Sequence, residues 1–466
     1  AQELVVYAPE FHATNRNSKQ MTTRAAQSDS GVSLGRPYKA IIYVFLAGGM
    51  DSYNVLVPTC DALYAKYEAK RGTLTMPRHE LLPINATGQP CGSFGVHPSL
   101  PLLSSMYATG EGLFVANVGS LIEPFTKETY HRVRKPPSIF AHNFAQTAAQ
   151  EVHAEELGYF KNPKGVIARM MSQLTQQSPS GVPPYKAKLY SAGAGRVVTG
   201  DRRPISLGGN GDVPTLSRQA ALQAELTNLT SFVSGSIFAE TYSATLEESL
   251  RDAVTVRTAL SRNTRNSFSN SNLAKQLKSI AKIINARKEL GSERDAFSAV
   301  SGGWDSHHGP MRASRVAEVD RSLTELVREL KEVDADGDRA WESVTIIVAS
   351  EFGRSIVSNG VGSDHGWGGH AYVMGGAVQG GKILGQYPHD YDHQISPPNR
   401  RGRIIPTTSW EAVWNAISQW AGVEDSVMPL VLPGISNFDC DRVGPDGRSN
   451  TPGCGLLSRE VMFRAV

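Results

Sequence analysis

The sequence predicts an α/β fold in which a mostly parallel sheet is covered by helices on both faces. Several short apolar runs are closed by glycine and polar residues, which is the pattern of strands buried on both faces. A long amphipathic helix, predicted over residues 311–333, lies between two such runs, and this strand–helix–strand order favours a right-handed crossover and parallel pairing. A chain of 466 residues can bury a sizeable core, as one large domain or two smaller ones.

The chain begins with a polar stretch, residues 1–37, that lacks hydrophobic periodicity. We expect it to be an extended arm or a disordered leader, and an arm of this kind can also dock on a neighbouring subunit. Strands are predicted at 40–47, 112–120, 344–349 and 372–378, and at the apolar run that begins at 296. Helices are predicted at 60–71, 145–157, 165–176, 311–333 and 409–422, and residues 215–290 are predicted to be largely helical. Short strands and glycine turns alternate over 186–209.

The charge balance excludes two broad classes of partner. A formal net charge of +3 on a chain with 20% charged residues is nearly balanced, and the basic residues are scattered, so we expect neither a nucleic-acid partner nor an anionic membrane surface. No apolar run approaches the roughly 18 residues of a membrane span. The start, AQELVVYAPE, resembles a mature chain whose signal peptide has been removed, which predicts a secreted, extracellular or periplasmic protein.

Cysteines and sequons favour the same oxidising location. Four cysteines allow three pairings, and the spacing favours Cys60–Cys91 and Cys440–Cys454 because each pair closes a loop of glycine, proline or polar residues. Free buried thiols are the alternative. Asn85 and Asn228 lie in sequons and are candidate N-glycan sites, although chance alone gives about this many in a chain of this length.

Chemically useful side chains follow three of the predicted strands. Apolar runs lead into Gly-Gly-x-Asp at Asp51 and at Asp305, and the glycine-rich loop after residues 344–349 carries an Asp-His pair. The carboxyl ends of parallel strands are where an open α/β sheet places its chemistry. The candidate residues from these ends are Asp51, Asp305 with His307 or His308, Glu351, Arg354, and Asp364 with His365. Carboxylates and imidazoles together suit Zn²⁺, Mn²⁺ or Mg²⁺.

Ordinary structural roles remain open for the same residues. An aspartate after Gly-Gly is often a turn or a helix cap, and Glu351 with Arg354 is equally compatible with a structural ion pair. His142 precedes a predicted helix, where it is either simply solvated or lines a pocket. The acidic run at 334–338 lacks a glycine at the position that an EF-hand loop requires and lacks the terminal glutamate, so we interpret it as a solvated turn.

Five ordered motifs resemble the DUF1501 family of uncharacterised proteins, which is placed with the sulfatase-like, alkaline-phosphatase-like superfamily. They are GGMDSYNVLVP, IAKIINARKELGSERDAF leading to GGWDSHH, SEFGRS, GSDHGWGGHAYVMGGAVQGG and GRIIPTTSWEAVWNAISQWAG. The resemblance spans about residues 38–438 and implies an alkaline-phosphatase-like three-layer sandwich, with a mostly parallel central sheet and metal sites at the strand ends. This chain departs from the family pattern in its leader, in AHNFAQ around His142, and in a cysteine-bearing extension, residues 439–466.

The superfamily resemblance also implies roles for individual residues. Asp51 resembles the carboxylate that bridges from nucleophile to metal, and Asp364 with His365 resembles a pair that completes one metal site. Asp305 with His307 resembles the ligands of a second site, with His370 as a late histidine. The resemblance therefore implies up to two divalent ions about 4 Å apart.

The sequence offers candidate catalytic groups, but it lacks a clear nucleophile. Arg354 is a candidate clamp for a substrate oxygen, with Glu351 and His142 as further candidates. The sulfatase Cys-x-Pro-x-Arg signature is missing, and Ser52 qualifies as nucleophile only if the backbone turns after Asp51, because adjacent strand residues point to opposite faces. A metal-bound water is the alternative nucleophile.

Two functions from different classes follow. The first is a secreted metal-dependent hydrolase of phosphate or sulfate esters, acting on a small-molecule or polysaccharide substrate. The second is a non-catalytic structural or assembly protein that keeps the fold and contacts other subunits through residues 1–37 and 439–466, as a homo-oligomer or larger assembly. Fold class alone does not decide between them.

Overall fold

The computed structural model describes residues 19–23, 33–156, 164–201, 203–208, 219–397, 401–442, 444, 447 and 449–465. Its strands are β1 Lys19–Thr23, β2 Lys39–Leu46, β3 Leu56–Pro58, β4 Leu82–Asn85, β5 Ser93–Val96, β6 Gly112–Gly119, β7 Ala187–Ser191, β8 Ile205–Ser206, β9 Phe232–Ser234, β10 Arg294–Ser301, β11 Val344–Ala349, β12 Arg354–Ser358, β13 Ser363–His365, β14 Gly369–Gly375, β15 Ile383–Leu384 and β16 Thr408–Ser409.

The helices alternate with these strands. They are α1 Asp61–Arg71, α2 Pro101–Ala108, α3 His142–Glu151, α4 Val166–Leu174, α5 Gln219–Thr230, α6 Ile237–Leu260, α7 Asn272–Asn285, α8 Arg287–Leu290, α9 Ala313–Lys331, α10 Tyr391–Gln394, α11 Trp410–Ala421, α12 Met428–Val431 and α13 Arg459–Met462. Parts of three predicted segments, at 157, 209 and 215–218, lie outside the described residues.

The central sheet has the strand order β15-β6-β14-β11-β2-β10-β7-β8, and β16 pairs with β6. Strand β2 pairs in parallel with both β10 and β11, which confirms the parallel arrangement expected from the strand–helix–strand order. Strand β14 is antiparallel to both of its neighbours, β11 and β6, so the sheet is mostly rather than wholly parallel. Three small sheets, β3-β5-β4, β12-β13 and β1-β9, lie outside it.

The two faces of β2 pack into two separate cores. Ala40, Ile42, Val44 and Leu46 belong to one core, together with apolar residues of α1, α2, α6, α7 and α9. Ile41, Tyr43 and Phe45 belong to the other, together with residues of α4, α11, α12 and α13. Successive strand residues point to opposite faces, so burial on both sides requires the unbroken apolar run that the sequence shows. The predicted three-layer α/β sandwich is confirmed.

Most element bounds agree with the sequence patterns. Helix α11 begins where the Ser409 hydroxyl accepts a hydrogen bond from the Ala412 amide at 3.1 Å, and it ends at Gly422, whose φ of +109° favours glycine. Two elements differ. The helix predicted at 145–157 is α3, His142–Glu151, which ends at Val152 in the left-handed region (φ 50°). The strand predicted at 372–378 is β14, which occupies Gly369–Gly375. It begins inside the glycine run because Gly369 packs against the backbone of Gly353, where a Cβ would lie 2.7 Å from the Gly353 Cα.

Part of the N-terminal stretch is incorporated into the fold. Strand β1 pairs antiparallel with β9 of the same chain, with Lys19 opposite Ser234. Further along, the buried carboxylate of Glu293 accepts hydrogen bonds from the amides of Leu34 at 2.8 Å and Arg36 at 3.2 Å. Residues 1–18 and 24–32 lie outside the described residues. The boundaries at 37/38 and 438/439 remain predictions.

Both favoured cysteine pairs are disulfide bonds. Cys60–Cys91 has a Cα–Cα distance of 5.9 Å and joins the start of α1 to the segment before β5. Cys440–Cys454 has a Cα–Cα distance of 5.5 Å and closes a loop near the end of the chain. The two sequon asparagines, Asn85 and Asn228, are exposed. Among the residues described, the structure contains no helix with the length and apolar character to cross a bilayer.

Candidate metal centre

Three parallel strands deliver their following residues to one edge of the sheet. Gly48 follows β2, Asp305 follows β10 and Glu351 follows β11. The Gly48 amide donates to both carboxylate oxygens of Glu351, at 2.9 and 3.0 Å. A Cβ at Gly48 would lie 2.5 Å from the Asp305 backbone nitrogen, and the φ of +127° also favours glycine. The Gly-Gly motif therefore lets two strand ends approach each other closely.

A cluster of two histidines and one aspartate lies at this edge. His142 is the first residue of α3, Asp305 follows β10, and His365 ends β13. One ligand atom from each residue lies within 4.8 Å of the other two. The side chain of His142 is 31% exposed and that of Asp305 is 45% exposed, so the cluster is open to solvent on one side. These three residues form the candidate metal centre.

The His142 ring is held by a buried carboxylate. Its Nδ1 lies 2.8 Å from Oε1 of Glu351, and Gln146, one turn further along α3, also donates to that oxygen at 3.1 Å. The hydrogen bond from Glu351 raises the pKa of His142, although burial opposes it. The other ring nitrogen, Nε2, is buried without a hydrogen-bond partner and lies 3.4 Å from Oδ2 of Asp305. It is therefore the nitrogen available to a metal.

The His365 ring has the same arrangement with a different partner. Its Nδ1 lies 2.6 Å from the backbone carbonyl oxygen of Phe140, which fixes Nδ1 as the donor. Its Nε2 is buried and has no hydrogen-bond partner. Burial lowers the pKa of His365, so the ring is held neutral and Nε2 keeps its lone pair. The ring centroids of His365 and His142 are 4.2 Å apart.

The Asp305 carboxylate divides its two oxygens between different partners. Oδ1 accepts from Arg354 Nη1 at 3.0 Å and also contacts Nδ1 of His307. Oδ2 faces Nε2 of His142. Burial acts to raise the pKa of Asp305, but the Arg354 guanidinium and the His307 ring outweigh it and lower that pKa. Asp305 is therefore an ionised carboxylate with one oxygen turned towards His142.

These donors fit a divalent transition metal. Metal-binding histidines commonly donate their second ring nitrogen to a carboxylate or a backbone carbonyl, and both His142 and His365 have such a partner. Two buried imidazole nitrogens without hydrogen-bond partners and one carboxylate oxygen converge on one region. Two nitrogens and one oxygen with a further open position form a donor set typical of catalytic zinc and of related metals.

The structure does not bring Asp51 into this cluster. Its carboxylate forms an ion pair with Arg71 at the end of α1, and both side chains are fully buried. Asp364 is separated from the cluster by strand geometry. It neighbours His365 on β13, so its side chain points to the other face, where Oδ1 accepts from Asn359 at 3.1 Å.

His370 also lies apart from the cluster. Its Nδ1 accepts a hydrogen bond from the Asn117 amide at 3.1 Å, and its ring packs between Tyr53 and Tyr387. Burial lowers its pKa to about 3. His370 is thus a neutral histidine of the apolar core.

Three of the expected catalytic residues are buried, namely Ser52, Glu351 and Arg354. Ser52 is buried, and its hydroxyl accepts a hydrogen bond from the His370 amide at 2.8 Å, which argues against a nucleophilic role. The Arg354 side chain is fully buried and donates to Asp305 and to backbone oxygens, and its role as a substrate clamp stays a prediction. Glu351 is also buried, and it orients His142 rather than facing solvent. His307 borders the centre through Asp305 and is 31% exposed.

Two features of the structure were not predicted from the sequence. His142 was a candidate catalytic or pocket-lining residue and not a metal ligand, whereas the structure places it in the cluster of three possible donors. The Arg71 partner of Asp51 was not recognised at all. A basic residue in the last turn of a helix is common, so Arg71 gave no distinguishing signal.

The family comparison agrees with the sequence motifs. Residues 38–398 match the model of the family described as "Protein of unknown function (DUF1501)", and the chain belongs to that family. No curated protein matches the chain.

Solved structures give only distant likenesses. The lipoteichoic acid synthase LtaP from Listeria monocytogenes has 8% identity and a TM-score of 0.33, and the match covers 94% of this chain and 81% of that one. The soluble domain of lipooligosaccharide phosphoethanolamine transferase A from Neisseria meningitidis has 9% identity and a TM-score of 0.32, with 88% and 95% covered. A Bacteroides thetaiotaomicron chain, described with the metabolism of multiple glycosaminoglycans, has 10% identity and a TM-score of 0.33, with 84% and 74% covered. Scores this low do not carry an inference about activity.

Proposed function

We propose that this protein is a metal-dependent hydrolase of phosphate or sulfate esters, with a divalent ion bound by His142, Asp305 and His365. Two observations together carry the proposal. The Nε2 atoms of His142 and His365 are buried without hydrogen-bond partners, and one ligand atom from each of these histidines lies within 4.8 Å of the other and of an Asp305 oxygen. Each imidazole is already oriented through its Nδ1, so the donors are arranged before any ion binds.

A bound divalent ion would neutralise charge on a phosphoryl or sulfuryl oxygen and polarise it. The protein contributes orientation. Glu351 and the Phe140 carbonyl fix the two imidazole rings, and Arg354 fixes Asp305. The half-exposed carboxylate of Asp305 leaves the centre accessible to an ester from outside.

His307 is the side chain best placed to hold or release a proton. Its Nδ1 contacts Oδ1 of Asp305, which orients the ring and leaves Nε2 for proton transfer. Its ring centroid lies 4.5 Å from that of His365, next to the centre. Since the Ser52 hydroxyl is buried and bonded to the backbone, we assign the attack on the ester to water. His307 would take a proton from that water as its oxygen bonds to phosphorus or sulfur, and would return the proton to the alcohol oxygen that leaves when the ester bond breaks.

The cellular location belongs to the same proposal. Two disulfides are typical of proteins that fold in an oxidising compartment, which supports a secreted, extracellular or periplasmic protein. Esters of small molecules and of polysaccharides are both accessible there, and the half-exposed centre is compatible with either class.

The test is metal content followed by an ester screen. Purified protein should carry a stoichiometric divalent metal by elemental mass spectrometry, and Asp305→Ala should lose it. Asp364→Ala is the matched control, because that carboxylate bonds Asn359 on the other face of β13, and it should keep the metal. The metal-loaded protein is then screened with phosphate and sulfate monoesters. Absence of metal from the wild type, or equal loss in both variants, would contradict the proposal.

The alternative is a non-catalytic assembly protein. Burial of Ser52 favours it, because the candidate nucleophile from the sequence is withdrawn from solvent. Gel filtration of the full chain against a chain that begins at residue 38 tests the assembly role. A smaller apparent size after truncation would support subunit contacts through residues 1–37, and an unchanged size would count against them.

A further inference from the structure

We infer that the guanidinium of Arg354 takes the position of a second cation beside Asp305, so that the centre admits one divalent ion and not two. The inference rests on the proposed metal centre and concerns how many ions that centre holds. It departs from the pair of ions that the sequence resemblance implies.

The two oxygens of Asp305 are the first evidence. Two-metal sites hold their ions about 3.5–4 Å apart, and a carboxylate shared between them offers one oxygen to each ion. In this protein Oδ2 faces Nε2 of His142 at 3.4 Å, and Oδ1 bonds to Nη1 of Arg354 at 3.0 Å. One oxygen thus faces the candidate metal centre. The other is contacted by the Arg354 guanidinium and by the His307 ring, and of these two groups only the guanidinium carries a fixed positive charge.

Arg354 is also held firmly in place. Its side chain is fully buried, and Nη1 donates in addition to the Gly48 carbonyl at 3.3 Å. Nη2 bonds to the backbone oxygen of Ser363, and Nε lies 3.4 Å from the Ser363 hydroxyl. An arginine stays protonated inside a protein, so this group is a permanent positive charge. A second ion at Oδ1 would have to displace it.

Asp51 is neutralised in the same way. It pairs with Arg71, and both side chains are fully buried. Arg71 in turn donates through Nη1 to the carbonyl of Ser355 at 3.0 Å, the residue that follows Arg354. Asp51, which follows β2, and Asp305, which follows β10, are therefore each paired with a buried guanidinium. Nearby positive charges also oppose a further cation, because like charges repel strongly where water is excluded.

A Mn²⁺ titration of the full-length chain tests the inference. Bound ion per chain is measured by native mass spectrometry, and electron paramagnetic resonance distinguishes an isolated Mn²⁺ from two exchange-coupled ions. The wild type should saturate at one ion with the isolated signal. Arg354→Ala removes the fixed charge at Oδ1 of Asp305 and leaves beside that oxygen the His307 ring, an imidazole that can itself bind a metal, so the variant should take up a second ion and show coupling. Arg354→Lys keeps the positive charge and should remain at one.

Each outcome is decisive. A wild type that binds two ions overturns the inference while leaving the proposed metal centre intact. A folded Arg354→Ala protein, checked by circular dichroism, that still stops at one ion also overturns it. If Arg354→Ala does not fold, the saturation value of the wild type decides, with one ion supporting the inference and two contradicting it. A wild type that binds no ion overturns both the inference and the proposed centre.

Discussion

Glu351 Oε1 lies 2.8 Å from Nδ1 of His142, although the two residues are 209 positions apart in the chain. This contact ties the end of β11 to the first residue of α3. It sets the direction of the His142 ring and leaves Nε2 facing Asp305. The metal centre therefore depends on a buried residue that would not touch the ion itself.

Glu351→Gln should weaken metal binding without removing the three donors. The amide keeps the shape of the side chain but loses the charge that raises the pKa of His142, and loss of such partners typically costs about 10–100-fold in metal affinity. Affinity is measured by competition with a chromophoric chelator. Glu342→Gln, at an exposed glutamate just before β11, is the control and should bind as the wild type does. Equal affinity of Glu351→Gln and wild type would remove Glu351 from the centre.

The buried ion pair of Asp51 and Arg71 should show strong coupling in stability. Removing one partner leaves the other charge buried and unpaired, which costs on the order of 3–5 kcal/mol. Asp51→Asn and Arg71→Met are each expected to lower the free energy of unfolding by about this much, whereas the double variant should cost much less than their sum. Urea unfolding of all four proteins measures the coupling. Strictly additive costs would show that the pair does not act as a unit.

Glu293 should make stability depend on acid pH. Burial acts to raise its pKa, but hydrogen bonds from Arg36, Lys186 and Leu34 outweigh it and lower the pKa from 4.5 to about 2. The folded protein therefore holds the carboxylate ionised where the unfolded chain protonates it. The stabilisation is present above about pH 4.5 and is lost as pH falls towards 2, and the shift corresponds to roughly 3 kcal/mol.

The measurement is the free energy of unfolding as a function of pH. Between pH 4.5 and 2 the wild type should lose stability more steeply than Glu293→Gln. The variant should be less stable than the wild type at neutral pH, and its free energy of unfolding should change less as the pH falls. Glu289→Gln removes a glutamate from a surface pair with Arg262 and serves as the control, with an expected change below about 1 kcal/mol. Parallel pH curves for wild type and Glu293→Gln would contradict the assignment.

The layered architecture was predictable because its signals are local. The apolar runs at β2 and β11 lie buried on both faces of the sheet, and the cap and stop residues of α11 lie within the segment they delimit. The strand ends identified Asp305 and His365 as candidates for this edge of the sheet, although the resemblance assigned them to different metal sites. The glycine-rich loop after β11 contains a short hairpin, β12-β13, that was not predicted. Its five- and three-residue strands show no clear alternation of apolar and polar residues.

The partners of the candidate residues were not predictable, because the packing of separate elements brings them together. Asp364 and His365 are adjacent on β13, so their side chains point to opposite faces. A sequence analysis that predicted β13 would also have predicted this separation. Arg71, however, meets Asp51 only after α1 has packed beside β12, and Phe140 offers a backbone oxygen that no side-chain pattern reveals. Sequence patterns thus identified candidate ligands, and the fold decided which of them share a site.

Gly48→Ala should disrupt both the strand end and the metal centre. A methyl group there would lie 2.5 Å from the Asp305 backbone nitrogen, and a φ of +127° is itself strained for alanine by about 1–3 kcal/mol. The backbone must shift, which displaces Asp305 and weakens the two hydrogen bonds from the Gly48 amide to Glu351. We expect unfolding to become easier by at least about 2 kcal/mol and metal affinity to fall roughly 10-fold or more.

Gly302→Ala is the matched control because Gly302 belongs to the glycine pair that precedes Asp305. A Cβ at Gly302 meets no atom within 4 Å, so its effect on stability should stay within about 0.5 kcal/mol and its metal binding should match the wild type. Thermal unfolding and chelator competition measure the two properties on both variants. Similar behaviour of Gly48→Ala and Gly302→Ala would show that the close approach of β2 to Asp305 does not organise the centre. A selective loss in Gly48→Ala would show that the first Gly-Gly motif acts by holding two strand ends together, and not merely by forming a turn.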